Sequence, residues 1–204
     1  MRHNGDTSWQ WLAGLVVVGG VAIVVATALS SNSDGGFLAK AGLVQGDRIL
    51  LVGDSLAQAL GPPLSKLAAE AGFEFSYDAT QGTRVEQWGE NGRAEGALQR
   101  SGASVVLISL GTNDAVTNAA FQERFPGRAA DLVARMKALG ARLVVWVVPP
   151  TMPFSTDAIV AGIQASGAQL FDSRALEIPR VGDRIHPTIA GSAGWAAALF
   201  ETLR

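Results

Sequence analysis

Residues 47–204 predict an α/β fold with a parallel sheet covered by helices on both faces. Three observations carry this. First, Ile49-Leu50-Leu51-Val52, Ser104 to Leu110 and Leu143 to Val148 are short, nearly uninterrupted apolar runs, the habit of strands buried on both sides. Second, segments of helical period separate these runs, and strands alternating with helices argue for βαβ units. Third, the runs stop on turn or breaker chemistry: Gly53, Gly111 and Pro149-Pro150.

Taken in chain order, Ile49–Val52 is the first strand. Ser55 to Ala71 follows as a helix with Leu56, Leu60, Leu64, Leu67 and Ala68 on one side. Pro62 and Pro63 fall inside it and are expected to kink it or detach its first turns. Phe73 to Tyr77 alternates and reads as a second strand. Ser104–Leu110 is the third, followed by a loop, Gly111-Thr112-Asn113-Asp114. Gly127 to Leu139 is amphipathic and helical. Leu143–Val148 is the fourth strand, Thr156 to Ala165 a helix, Gln169–Asp172 a short fifth strand, and Thr188 to Leu203 a closing helix. In such sheets crossovers are right-handed and sites form at the carboxyl ends of the strands. Chemistry is therefore expected just after Val52, near Asp78–Gly82, and after Leu110, Val148 and Asp172.

A different segment precedes the domain. After a tail of residues 1–10, residues 11–29 carry no charge and are almost wholly apolar. That is about the length needed to cross a ~30 Å hydrocarbon core as a helix. Trp9 and Trp11 lie at one end, where indoles favour the interface. Ala26-Thr27-Ala28 has the small residues of a signal-peptidase site, but the run exceeds the roughly 7–15 residues of a signal core. A retained anchor is the expectation, with the domain outside the cytoplasm. A cleaved signal, giving a secreted or periplasmic protein, is the alternative. Residues 30–46, with Ser30-Ser31-Asn32-Ser33-Asp34-Gly35-Gly36, read as linker.

Composition removes whole classes of function. Sixteen basic residues against 18 acidic ones, net −2, show no basic excess for nucleic acid. The chain has no cysteine, so disulfides, thiolate metal sites and cysteine nucleophiles are excluded. Its two histidines, His3 and His186, are too few for an imidazole-based zinc site.

The histidine count also directs the search for chemistry. Ser55, in Gly53-Asp54-Ser55-Leu56, falls at a strand-to-helix turn, where free backbone N–H groups stabilise negative charge. A capping role for Ser55 or Asp54 explains the same residues. A serine hydroxyl needs a base to become a nucleophile, and within the domain only His186 can serve. Asp183, three residues earlier, is spaced to return its carboxylate to one imidazole nitrogen. Asn113 offers a side-chain N–H at the end of the third strand, and Gly82 a backbone N–H, both suited to an oxyanion. Arg84, Trp88 and Thr151 are candidates for lining the cleft. Asp172 is a rival for the carboxylate.

These blocks resemble the SGNH (GDSL) hydrolase family. Gly53-Asp54-Ser55-Leu56 matches its first block, Gly111-Thr112-Asn113-Asp114 its third and Asp183-Arg184-Ile185-His186-Pro187 its last, in order, over roughly Asp47 to Arg204. For the single glycine of the second block, Gly82 is chosen over Gly89 and Gly92 because it closely follows the second strand. The resemblance implies a three-layer α/β/α sandwich with a five-stranded, flavodoxin-like parallel sheet. It implies Ser55 as nucleophile, completed by Asp183 and His186, and an oxyanion hole of the Ser55 and Gly82 N–H groups with the Asn113 side chain. It implies no metal and no organic cofactor. The expected activity is a serine-dependent hydrolysis of short O-acyl esters, carried on a small molecule, a carbohydrate or the cell envelope. A glycan O-acyltransferase using the same acyl-enzyme and a non-catalytic envelope binding module are the alternatives.

Overall fold

The computed structural model of the chain describes residues 42–117 and 119–204. The expected apolar segment at residues 11–29 and most of the expected linker lie outside the described residues. Among those described, no helix is long and apolar enough to cross a membrane.

Five parallel strands form one sheet: β1 (Arg48–Gly53), β2 (Glu74–Ala79), β3 (Val105–Ser109), β4 (Leu143–Val148) and β5 (Gln169–Asp172), in the order β2-β1-β3-β4-β5. This is the flavodoxin-like order, and the chain reverses direction across the sheet between β1 and β3. The alternation of side chains along each strand splits the apolar runs between two cores. Ile49, Leu51, Val105, Leu107, Val145 and Val147 face α1 (Ser55–Glu70) and the last helix (Ile189–Leu203). Leu50, Val52, Val106, Ile108, Val144 and Trp146 face the helices between β2 and β5. Both faces are dry, which is why β1, β3 and β4 read as continuous apolar runs.

Those intervening helices are α2 (Val85–Gly89), α3 (Arg93–Ser101), α4 (Thr112–Val116), α5 (Ala119–Ala138) and α6 (Asp157–Ala165); the last helix is α7. The expected strands match to within two residues at either end. The helices differ more. Pro62 and Pro63 neither split nor detach α1, which runs unbroken from Ser55 to Glu70. The two carbonyls they leave unbonded belong to Gln58 and Ala59, off the buried side, so water can satisfy them. In the same way Pro126 sits inside α5, which begins at Ala119 and not at Gly127. Its neighbour Phe125 is fully buried edge-on against Trp146, and that packing outweighs the local cost of the proline. The segment 85–101, left unassigned above, holds α2 and α3, and the expected loop at residues 112–114 is the first turn of α4. The domain also begins before Asp47: the Leu43 N–H donates to the Leu203 carbonyl at 2.8 Å, and Leu43 packs on the α1–α7 core.

Three fully buried tryptophans fix the loops at the carboxyl end of the sheet. A buried indole N–H needs an acceptor, and each finds one in such a loop. Trp88 Nε1 donates to Thr83 Oγ1 (3.0 Å), Trp146 Nε1 to the Leu110 carbonyl (3.0 Å) and Trp195 Nε1 to Ser173 Oγ (2.8 Å). The segments after β2, β3 and β5 are thereby held by the core itself.

Candidate active site

The turn from β1 into α1 is set by close backbone contact. A Cβ at Gly53 would stand 2.1 Å from the Ser109 carbonyl oxygen, so no side chain fits. That carbonyl accepts from the Asp54 N–H at 3.1 Å. Asp54 then caps α1, its Oδ1 accepting from the Leu56 N–H at 2.9 Å. Ser55 is the first residue of the helix, where the N–H has no intrahelical acceptor. The capping reading therefore holds for Asp54, and neither the backbone N–H nor the hydroxyl of Ser55 is spent on the cap.

His186 arrives from the other side. Its Nε2 lies 2.9 Å from Ser55 Oγ, across 131 residues of sequence. Its Nδ1 lies 2.6 Å from Asp183 Oδ2. The second Asp183 oxygen accepts the N–H groups of Ile185 (2.8 Å) and His186 (2.9 Å). Arg184, at φ 59°, supplies the left-handed residue that lets the chain fold back so tightly. The hydrogen bond from His186, followed by the two backbone donors, holds the Asp183 carboxyl down to about 2. An ionised Asp183 assigns the proton to Nδ1 and leaves the Nε2 lone pair facing the serine hydroxyl. Asp183 and His186 side chains are 44% and 35% exposed, so this arrangement stands at an open surface.

Gly82 follows β2 as expected, at φ 75°, with no atom within 4 Å of where a Cβ would stand. Its turn is tied to the serine turn: Thr80 N–H donates to the Gly53 carbonyl at 2.9 Å. Asn113 joins the two halves. Its Nδ2 donates to Asp54 Oδ2 (3.1 Å) and to the Thr83 carbonyl (3.0 Å), so both amide hydrogens are engaged. An oxyanion at this amide has to share one of them.

The cleft-lining expectations fare unevenly. Trp88 is a correction: it is wholly buried beneath the Arg93 guanidinium and contacts the loop from inside, so it offers no surface to a substrate. Arg84 is partly exposed, stacked on Phe121 at 4.2 Å and 3.5 Å from Glu86. Thr151 is exposed, but its hydroxyl donates to the Arg174 carbonyl at 3.1 Å. Asp172 is held by Arg174 at 2.6 and 2.9 Å and takes no part in the His186 network. Reasoning from sequence missed Asp54 as the anchor of Asn113. The cap position signalled its first bond but not the second.

Two buried carboxyls lie under this surface. Burial pushes Asp54 up to about 7, against the Leu56 N–H and with help from the neighbouring Asp114 charge. Burial likewise raises Asp114 to about 6, against its bond from the Val85 N–H. A raised carboxyl binds its proton more tightly in the folded chain. Its contribution is fully present below the ordinary value of 3.8 and is lost as pH rises through about 6 and about 7. Asp183 has the opposite sign: its contribution is present above 3.8 and is lost as pH falls toward about 2. Thermal melts across the pH range are expected to give the highest midpoint at about pH 4, close to the ordinary carboxyl value from which all three shifts start, declining on both sides. A midpoint climbing steadily into the alkaline range would contradict the burial of Asp54.

No family model matches the sequence, and no curated protein matches it either. Solved structures do match in fold. An acetyl xylan esterase, AlAXEase, superposes with a TM-score of 0.63 at 14% identity, covering 77% of this chain and all of that one (100%). The fold is shared with a GDSL-like lipase from Parabacteroides merdae, at a TM-score of 0.61 and 15% identity, over 80% of this chain and 98% of that one. An alpha/beta hydrolase from the metagenome of Lake Arreo, Spain, matches with a TM-score of 0.62 at 17% identity, over 79% of this chain and 96% of that chain. An acetylxylan esterase from Geobacillus stearothermophilus gives a TM-score of 0.59 at 17% identity, over 80% and 96%. Within this fold, Ser55, Gly82, Asn113 and His186 each follow a strand's carboxyl end, as expected for sheets of this order.

Proposed function

We propose that this chain is a serine-dependent carboxylic ester hydrolase acting on short O-acyl groups, acetyl above all, carried by a carbohydrate. The observation that carries the reading is the unbroken chain Ser55 Oγ to His186 Nε2 (2.9 Å) and His186 Nδ1 to Asp183 Oδ2 (2.6 Å). Ser55 Oγ attacks the ester carbonyl as His186 Nε2 takes its proton, and the imidazolium is stabilised by ionised Asp183. The Ser55 and Gly82 N–H groups, with a shared hydrogen from Asn113, receive the oxyanion. The imidazolium returns its proton to the leaving alcohol, and an acyl-serine remains. Water, deprotonated by His186, attacks the acyl-serine, and the imidazolium returns that proton to Ser55 Oγ as the acid leaves.

Two observations favour a short acyl group on a large alcohol. The His186–Asp183 pair stands at an open surface, which admits a polymer-borne ester. Two of the solved structures of similar fold are acetylxylan esterases. An anchored, extracytoplasmic site completes the proposal, on the strength of residues 11–29.

The test is hydrolysis of p-nitrophenyl acetate, butyrate and octanoate, then of acetylated xylan. Acetate is expected to match or exceed octanoate in kcat/KM, since a methylene that finds no pocket gains none of the about 0.8 kcal/mol its burial would contribute. Preference for octanoate would overturn the short-acyl reading. Absence of all hydrolysis, with no labelling of Ser55 by a fluorophosphonate, would overturn the enzyme reading.

A further inference from the structure

Asp183 and His186 sit on a hairpin that stands outside the sheet. Val181 N–H donates to the His186 carbonyl (2.9 Å) and Thr188 N–H to the Pro179 carbonyl (2.8 Å), while Arg180 and Pro187 pair as an antiparallel bridge. At its tip the Arg184 N–H donates to the Val181 carbonyl at 3.0 Å. These bonds set the internal shape of the hairpin. None of these bonds reaches α1, where Ser55 stands.

One side chain ties it to the loop that leaves β4. Arg180 Nη1 donates to the Ile185 carbonyl, immediately before His186, at 2.7 Å. Its Nη2 donates to the Thr151 carbonyl, in the loop that leaves β4, also at 2.7 Å. Nη1 also lies 3.5 Å from Met152 Sδ, and Met152 is nearly buried in the α1–α7 core. Among the described residues, this is the polar link between the hairpin and the loop after β4. Ile185 adds an apolar contact to the same core.

We propose that Arg180 is a positioning residue that sets the separation of His186 Nε2 from Ser55 Oγ by clamping the hairpin to the β4 loop. The inference rests on the roles given above to Ser55 and His186. The planar guanidinium holds two donors at a fixed angle, so it fixes direction as well as distance between the two carbonyls. Both bonds are charge-assisted, hence stronger than amide–carbonyl bonds. Proton transfer to His186 needs the heavy atoms within roughly 2.6–3.2 Å, and a drift of about 1 Å can cost on the order of 10²-fold in rate.

The test compares Arg180→Met and Arg180→Lys with the wild type. Methionine keeps much of the length and the apolar contact but has no donor. Lysine keeps the charge but presents its donors from one atom, without the fixed fork of the guanidinium. Arg180→Met is expected to lose on the order of 10²-fold in kcat per titratable Ser55, with KM within about threefold. Arg180→Lys should fall between, and added guanidinium should restore part of the Arg180→Met rate. The low-field proton NMR resonance of His186 Nδ1–H should shift or vanish in Arg180→Met; His3 is the one other histidine to distinguish. Wild-type kcat and an unchanged Nδ1 resonance in Arg180→Met would overturn the proposal. So would a loss confined to the folded fraction, with normal kcat per titrated serine and no response to guanidinium. If the wild type hydrolyses no ester, the functional reading fails, and the Nδ1 resonance still shows whether Arg180 holds the imidazole.

Discussion

Replacing Ser55 by alanine is expected to lower kcat on p-nitrophenyl acetate by on the order of 10⁶-fold, His186→Ala by the same order, and the double variant by no more than either. In the proposed mechanism the two side chains share one step. Ser55 Oγ has no proton acceptor within the described site other than His186 Nε2, 2.9 Å away. An imidazole without its serine has no nucleophile to activate, and a serine without its imidazole stays a neutral alcohol. Each deletion therefore removes the whole covalent route. What remains is the oxyanion donors and simple binding, which support on the order of 10³-fold over water. Initial rates at saturating ester, normalised to folded protein, measure the effect. Losses that multiply in the double variant would mean that the two residues act separately, and the nucleophile–base pairing would be wrong.

Asp183→Asn is expected to lower kcat by about 10⁴-fold with little change in fold. Asparagine can keep the bonds from the Ile185 and His186 N–H groups through its carbonyl oxygen, because one Asp183 oxygen, Oδ1, accepts both. The second oxygen becomes an NH₂ facing His186 Nδ1. That donor forces Nδ1 to accept, so the ring proton moves to Nε2, which then donates toward Ser55 and cannot take its proton. The geometry survives and the tautomer is wrong. Asp183→Ala serves as the contrast, since it removes the backbone bonds as well and should loosen the tip. Near-wild-type activity in Asp183→Asn would pass the carboxylate's role to another residue. Asp172 is no substitute, being engaged by Arg174. Ionisation of Asp183 cannot shape the rate profile near neutrality, because its carboxyl is held down to about 2.

The strands were legible because burial on both faces removes polar residues from them. Leu51, Val52, Val105 to Ile108 and Val145 to Val147 are all fully buried, and their runs needed no partner to be recognised. Helix limits were less legible. Pro62, Pro63 and Pro126 announce breaks that the surrounding packing overrides, and α2 and α3 are short and rich in small or charged residues. At the site, one histidine in the domain narrowed the search to His186, and local spacing pointed to Asp183. Long-range bonds left no such trace. Trp88 looked like a cleft residue because it follows Gly82, yet its indole turns inward to Thr83. Asp54 and Arg180 act on partners 59 and 29 residues away, Asn113 and Thr151, through bonds that any loop sequence could accept or supply.

The bond between Leu43 and Leu203 has a practical consequence. It places the start of the domain beside its last helical turn, at the sheet's amino-terminal pole, whereas Ser55 and His186 occupy the other pole. A fusion partner, resin or surface coupled through either end of the domain therefore approaches from behind the cleft and leaves it unobstructed. The same adjacency makes the domain a natural candidate for circular permutation, with the old ends joined by a few glycines and new ends cut into an exposed turn such as the one at Gly140.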